Sequence, residues 1–178
     1  NGHGVFGLNN NTSYSSPKQV GTDTTWSGAS GKVAVSGNTA VTAIKTDGSM
    51  WVWGRDDEGG EVGDANNVSR SSPVQVDGSW QMASFVSGGY MGSGVKVGGT
   101  GWMWGYNNAG ALGQNNRTQY SSPIQVGTDT NWSSIVVSSS KGYGIKTDNT
   151  YWIWGYDNRG ALGLNLGGSV RRSSPTQI

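Results

Sequence analysis

Cysteine is absent from the 178 residues, so no disulfide, thiolate nucleophile or thiolate metal ligand is available, although this alone does not fix the compartment. Histidine occurs once, as His3, which leaves no partner for a histidine metal site and no base for a serine triad. Serine is plentiful, but no Gly-x-Ser-x-Gly elbow lies between a strand and a helix. Charge is sparse at 13% and balances to +1, which gives no electrostatic case for nucleic acid or an anionic membrane. No apolar run approaches the length of a membrane-spanning helix, and no basic-then-apolar leader opens the sequence. Together these absences favour a protein with no catalytic, cofactor or metal set.

What is abundant points to strands and turns. Glycine occurs 31 times, with many Ser, Thr and Asn, all poor helix formers that favour turns. The apolar fraction is only 33%, but nine Trp and seven Tyr carry large buriable areas, so the core is expected to be Trp-rich.

Three landmarks recur in fixed order with a period of about fifty residues. The first is SSPxQ plus an aliphatic residue, at 15–20, 71–76, 121–126 and 173–178, which uses all four prolines. The second is a lone tryptophan, Trp26, Trp80 or Trp132, before a stretch of small residues. The third is a hairpin pattern, AIKTDGSMWVWG at 43–54, GVKVGGTGWMWG at 94–105 and GIKTDNTYWIWG at 144–155. In each WxWG the two Trp point to one side and the residue between them to the other, which is strand alternation. Asp47-Gly48, Gly98-Gly99 and Asp148-Asn149 provide tight hairpin turns. Each proline, lacking an N–H, suits the first residue of an outer strand. A unit therefore reads as four antiparallel strands, the size of a propeller blade, and the fold class is all-β.

These motifs, with GYNNAGALGQ at 105–114 and GYDNRGALGLN at 155–165, resemble the regulator of chromosome condensation repeat family over nearly the whole chain. The SPxQVGTDTxW join looks like its bacterial and phage branch. The resemblance implies a β-propeller, commonly of about seven blades, that serves as a binding or structural platform. The family's histidine before the AxK strand is replaced by Ala40, Met91 and Lys141, so no histidine-dependent contact carries over. Nor is there an inserted wedge-like hairpin, so nucleotide exchange is not expected.

The units divide as residues 1–20, a partial repeat; 21–76, repeat one; 77–126, repeat two; and 127–178, repeat three with the start of the next. Both ends carry the same part of a unit, and three blades are too few for a ring. The expectation is an excerpt of a longer array or a subunit that completes its propeller with another copy.

Residues that recur belong to architecture, and function is sought in those that vary. The six recurring WxWG tryptophans are expected in the core, and Lys45, Lys96 and Lys146 to lay their stems on aromatic rings, with a ring of ammonium groups as the alternative. The acidic run Asp56, Asp57, Glu58, Glu61 and Asp64 has enough oxygens for calcium, but units two and three do not share it, and a solvated loop is the plainer reading. Tyr14, Arg55, Tyr90, Arg117, Tyr120 and Arg159 vary, lie in or beside loops, and are of the types that anchor interfaces. The expected function is a non-enzymatic module that binds protein or glycan, or a structural part of an extracellular, cell-surface or virion assembly. The alternative is a regulatory protein-binding propeller of the exchange-factor or inhibitor kind.

Overall fold

The computed structural model describes residues 1–36, 40–56, 59–85, 90–138 and 140–178, with the Ser36 and Phe85 side chains left aside. Among them there is no helix, and hence none long and apolar enough to cross a membrane. The strands are β1 (Val33–Ser36), β2 (Ala40–Ile44), β3 (Ser49–Gly54), β4 (Arg70–Phe85), β5 (Met91–Lys96), β6 (Gly101–Gly105), β7 (Tyr120–Gln125), β8 (Trp132–Ser138), β9 (Lys141–Lys146), β10 (Tyr151–Asp157) and β11 (Val170–Gln177). All pair antiparallel with their sequence neighbours, except that β7 and β8 do not pair. The long strand β4 serves two blades, since its first part pairs with β3 and its second part, from Trp80, pairs with β5. The result is three four-stranded blades: β1–β2–β3 with the first part of β4, the rest of β4 with β5–β6–β7, and β8 to β11. This is the all-β propeller-blade architecture expected from the repeat.

The alternation of WxWG builds the core. In each blade the lone Trp stands edge-on or tilted against both third-strand tryptophans, with ring centroids 6.0–6.4 Å apart, as for Trp80 against Trp102 and Trp104. On the opposite side Ile44, Met50 and Val52 of the first blade close against Trp80, Ala83 and Trp104 of the second. Met91, Val95 and Met103 do the same against Trp132, Ile135 and Trp154 of the third. The two outer blades present the same surfaces without a neighbour. Val33 and Val35 are 56% and 53% exposed and Ile145 is 40% exposed, whereas Val95, the counterpart of Ile145, is fully buried.

Two local expectations change. The prolines do not start their strands: Arg70 and Tyr120 precede Pro73 and Pro123 by three residues, within β4 and β7. Each instead sits where the ladder slips, opposite Val52/Gly54 and Met103/Gly105, so the bulge absorbs the missing donor. The hairpins close over three residues, the last of them left-handed, Gly48, Gly99 or Asn149, at φ 85°, 79° and 65°; in the second, Gly98 is left-handed too, at φ 97°. The carboxylates of Asp47 and Asp148 fix the first and third turns by accepting the N–H of Ser49 (2.8 Å) and Thr150 (3.0 Å).

Gly92 and Gly142 lie in β5 and β9 opposite the inner tryptophans, and a Cβ there would meet the indole of Trp104 at 2.2 Å or Trp154 at 2.1 Å. Gly142→Ala is expected to destabilise by about 1–3 kcal/mol through overpacking, read as a lowered urea midpoint. Gly28→Ala, where nothing lies within 4 Å, should leave the midpoint unchanged. Equal midpoints for the two variants would show that Trp154 does not fill that space.

Candidate functional site

Each blade has two ends. One carries the three-residue hairpins; the other carries the long loops that join third to fourth strands, and it holds every varying Tyr and Arg singled out from the sequence. Its geometry begins at the last residue of each WxWG. Gly54, Gly105 and Gly155 have φ of 119°, 97° and 106°. A Cβ on Gly105 would strike the Tyr90 carbonyl at 2.1 Å, and one on Gly155 the Ser140 carbonyl at 2.3 Å. Only glycine lets the backbone turn here. The turn delivers Arg55, Tyr106 and Tyr156 onto the loop face, with the Tyr106 N–H donating to Tyr90 O (2.8 Å) and that of Tyr156 to Ser140 O (2.9 Å).

Across the first blade junction the Arg55 guanidinium lies 5.9 Å from the Tyr90 ring centroid, and Tyr90 meets Tyr106 edge-on at 6.4 Å. Two candidates from different units thus join in one stack with Tyr106, a residue the sequence reading passed over. At the third blade Arg171 covers Tyr156 at 4.5 Å. Tyr120 accepts a hydrogen bond from Asn116 Nδ2 at its hydroxyl (3.0 Å), beside exposed Arg117. Tyr14 repeats this with Asn10 at 3.5 Å, and its ring carries the Lys18 ammonium at 5.3 Å. Arg159 is exposed on its own loop at φ 57°. The structure therefore brings Arg55 and Tyr90 together and places Tyr14, Arg117, Tyr120 and Arg159 on successive loops of the same end. The missed signal was position: the residue after each WxWG is Arg55, Tyr106 or Tyr156.

These loops are pinned. The indole N–H of Trp53, Trp104 and Trp154 donates to the preceding loop at Val5 O (2.9 Å), Glu61 O (3.0 Å) and Ala111 O (2.7 Å). The loop residues Asn9, Ala65 and Asn115, at φ 56°, 68° and 54°, donate their N–H to Ser71, Ser121 and Ser173 of the next blade. Asn107 Oδ1 accepts Leu112 N–H (3.0 Å), and Asp157 Oδ1 accepts Leu162 N–H (3.1 Å). The loop end is thus pinned at its base, which would lower the entropic cost of any docking there.

The first blade departs at this position. Asp56 stands where Asn107 and Asp157 stand, almost fully buried beside the fully buried Glu61. Burial first, and then the neighbouring Glu61 carboxyl, push Asp56 up to about 7. Glu61 Oε2 accepts the Gly59 N–H (3.2 Å), and Asp64 Oδ2 takes both Nε and Nη2 of Arg70 at 2.6 Å. The expected solvated loop is corrected here: Asp56 and Glu61 are buried, and Asp64 is paired with Arg70. Asp57 and Glu58 lie outside the described residues, and among those described no group of three His, Cys, Asp or Glu is set to hold a metal ion.

At the hairpin end the lysines lie on tryptophans, Lys45 over Trp51 at 4.1 Å, Lys96 over Trp102 at 3.8 Å and Lys146 over Trp152 at 3.9 Å. Lys45 and Lys146 also pair with Asp23 (2.5 Å) and Asp129 (3.0 Å). The hollows beside them, about 550 Å³ near Lys45 and about 300 Å³ near Lys96, recur at successive junctions and are by-products of the repeat.

No protein-family model matches the chain, and no curated protein sequence does. Solved structures do. Human WBSCR16 superposes with a TM-score of 0.65 at 21% identity, over 82% of this chain and 38% of that one. Yeast RCC1 (Prp20), in a crystal structure bound to Kap60, gives 0.68 at 15% identity, over 80% and 36%. Prp20p from Saccharomyces cerevisiae, in a structure presented with its binding properties to Gsp1p and histones, gives 0.67 at 15% identity, over 82% and 37%. The chain has the fold of RCC1-type β-propellers and spans less than two fifths of the length of these proteins.

Proposed function

We propose that the chain is part of a regulatory, protein-binding propeller that acts by docking partners on its loop face and not by catalysis. The observation that carries this reading is the Arg55–Tyr90–Tyr106 stack, in which residues from two blades form one amphipathic anchor on a pinned base. Arg and Tyr in such settings supply much of the energy of protein interfaces. Support also comes from the yeast neighbours, described with Kap60 and with Gsp1p and histones. These neighbours favour the regulatory reading over a glycan-binding or structural part of a surface assembly. On the SPxQVGTDTxW join we place the chain with the bacterial and phage branch of the repeats.

The test is cross-linked capture of proteins from the source cells. Arg55→Ser with Tyr90→Ser should deplete the captured set about tenfold or more. Thr46→Glu with Thr147→Glu, on the hairpin end, should leave it unchanged. The reverse pattern would place binding on the other end and sink the proposal.

A further inference from the structure

The net charge of +1 hides a separation of charge between the two ends of the blades. All six arginines, Arg55, Arg70, Arg117, Arg159, Arg171 and Arg172, lie at the loop end, and Lys141 opens β9 there. The strand register fixes this: Gly54 pairs with Arg70, Gly155 with Lys141 and Arg172, and Tyr156 with Arg171. Among the described residues the carboxylates at this end are withdrawn from solvent. Asp56, Glu61 and Asp157 are buried, and Asp64 is spent on Arg70. Even with Asp57 and Glu58 counted by sequence alone, the cations Arg117, Lys141, Arg159, Arg171 and Arg172 outnumber the acids that remain. The hairpin end carries no such excess. Asp23, Asp47, Asp77, Asp129 and Asp148 gather there against Lys32, Lys45, Lys96 and Lys146, with Lys45 and Lys146 already ion-paired.

From this separation we infer that the loop face docks an acidic protein surface, a deepening that rests on the protein-binding reading. Arg is suited to it because its planar fork takes a carboxylate through two hydrogen bonds. Arg171 lies over the Tyr156 ring, which restricts its fork before a partner arrives. The Tyr rings give the apolar contact that a protein surface offers and a phosphate backbone does not. The cations are also interrupted by Tyr and Asn and spread over successive loops, unlike the continuous basic track that nucleic acid binding needs.

The test uses the whole chain and a fluorescein-labelled poly-glutamate peptide, with poly-lysine and a DNA duplex as comparison probes, at low and physiological salt. Arg117→Gln with Arg159→Gln and Arg171→Gln removes three exposed charges from the loop face. Thr46→Glu with Val97→Glu and Thr147→Glu changes net charge equally, at corresponding exposed sites of the three hairpins. Poly-glutamate binding is expected to weaken about tenfold or more in the first variant and less than about threefold in the second. Equal losses would mean that only net charge matters, and tighter binding of the duplex would assign the face to nucleic acid; either overturns the inference. So does failure of poly-glutamate to bind at low salt. If that failure occurs while capture still depends on Arg55 and Tyr90, the acidic partner falls and the protein-binding reading stands. If capture is also indifferent to those residues, both fall.

Discussion

Trp104→Ala is expected to lower the unfolding free energy by about 3–5 kcal/mol, a large share of the stability of an ordinary domain. Three losses combine in this one change. The indole is fully buried at the junction of the first two blades, packed with Val62, Val76 and Trp80. Its N–H is the donor to Glu61 O, so truncation leaves a buried carbonyl without that partner. The void would open beside Gly92, which has no side chain to fill it. Trp102, two residues earlier on the same strand, is only half-buried, and its N–H goes to the Thr100 hydroxyl at 2.9 Å. Trp102→Ala should cost clearly less. Urea unfolding followed by tryptophan fluorescence checks both, and equal costs would mean that the inner tryptophan does not join the blades as described.

The second large effect concerns pH. Asp56 is pushed up to about 7 in the fold, from an ordinary 3.8, because burial and Glu61 disfavour its charge. The folded state therefore holds this proton more tightly than the unfolded chain does. Between about pH 4 and 7 the native state binds more protons, so stability falls as pH rises, and the penalty is complete above about 7. A shift of this size is worth on the order of 2–4 kcal/mol across that window. The ordinary carboxylates act the other way: Asp47 and Asp148 are held low, chiefly by hydrogen bonds from Ser49 and Thr150, so their contribution is lost only as pH falls below the usual carboxylate range. Asp56→Asn should remove the neutral-pH slope and raise stability at pH 8, because asparagine already serves at the equivalent Asn107 and its amide can donate to Glu61. Thermal unfolding at pH 5 and pH 8 decides the matter. A wild-type midpoint that rises from pH 5 to 8, or a variant no more stable at pH 8, would contradict a carboxyl held up by burial at Asp56.

The repeat made the fold readable because each blade repeats the same chemistry in the same order. WxWG alternates as a strand wherever it occurs, and the lone tryptophans pack on it in every unit. What sequence could not show was proximity between units. Arg55 and Tyr90 are separated in sequence by a long loop and the whole of β4, and only the blade crossing brings them together. Tyr106 and Tyr156 looked like architecture because two units share them, yet Arg55 at the same position shows that the position varies. The acidic run misled for a physical reason. A string of carboxylates usually stays solvated, but here the repeat position of Asp56 is a buried one, and the fold takes the side chain inside regardless of its charge. The prolines misled in a smaller way, since a bulge tolerates a missing N–H as well as a strand end does.

The central claim is that partners dock on the loop end of the blades. Hydroxyl-radical footprinting of the chain, free and with a captured partner, tests it most directly, since Tyr side chains report their own protection. The account predicts protection of Tyr14, Tyr90, Tyr106 and Tyr120, with Trp51, Trp102 and Trp152 near the hairpin end unchanged. Protection confined to those tryptophans, with the loop tyrosines as reactive as in the free chain, would contradict it.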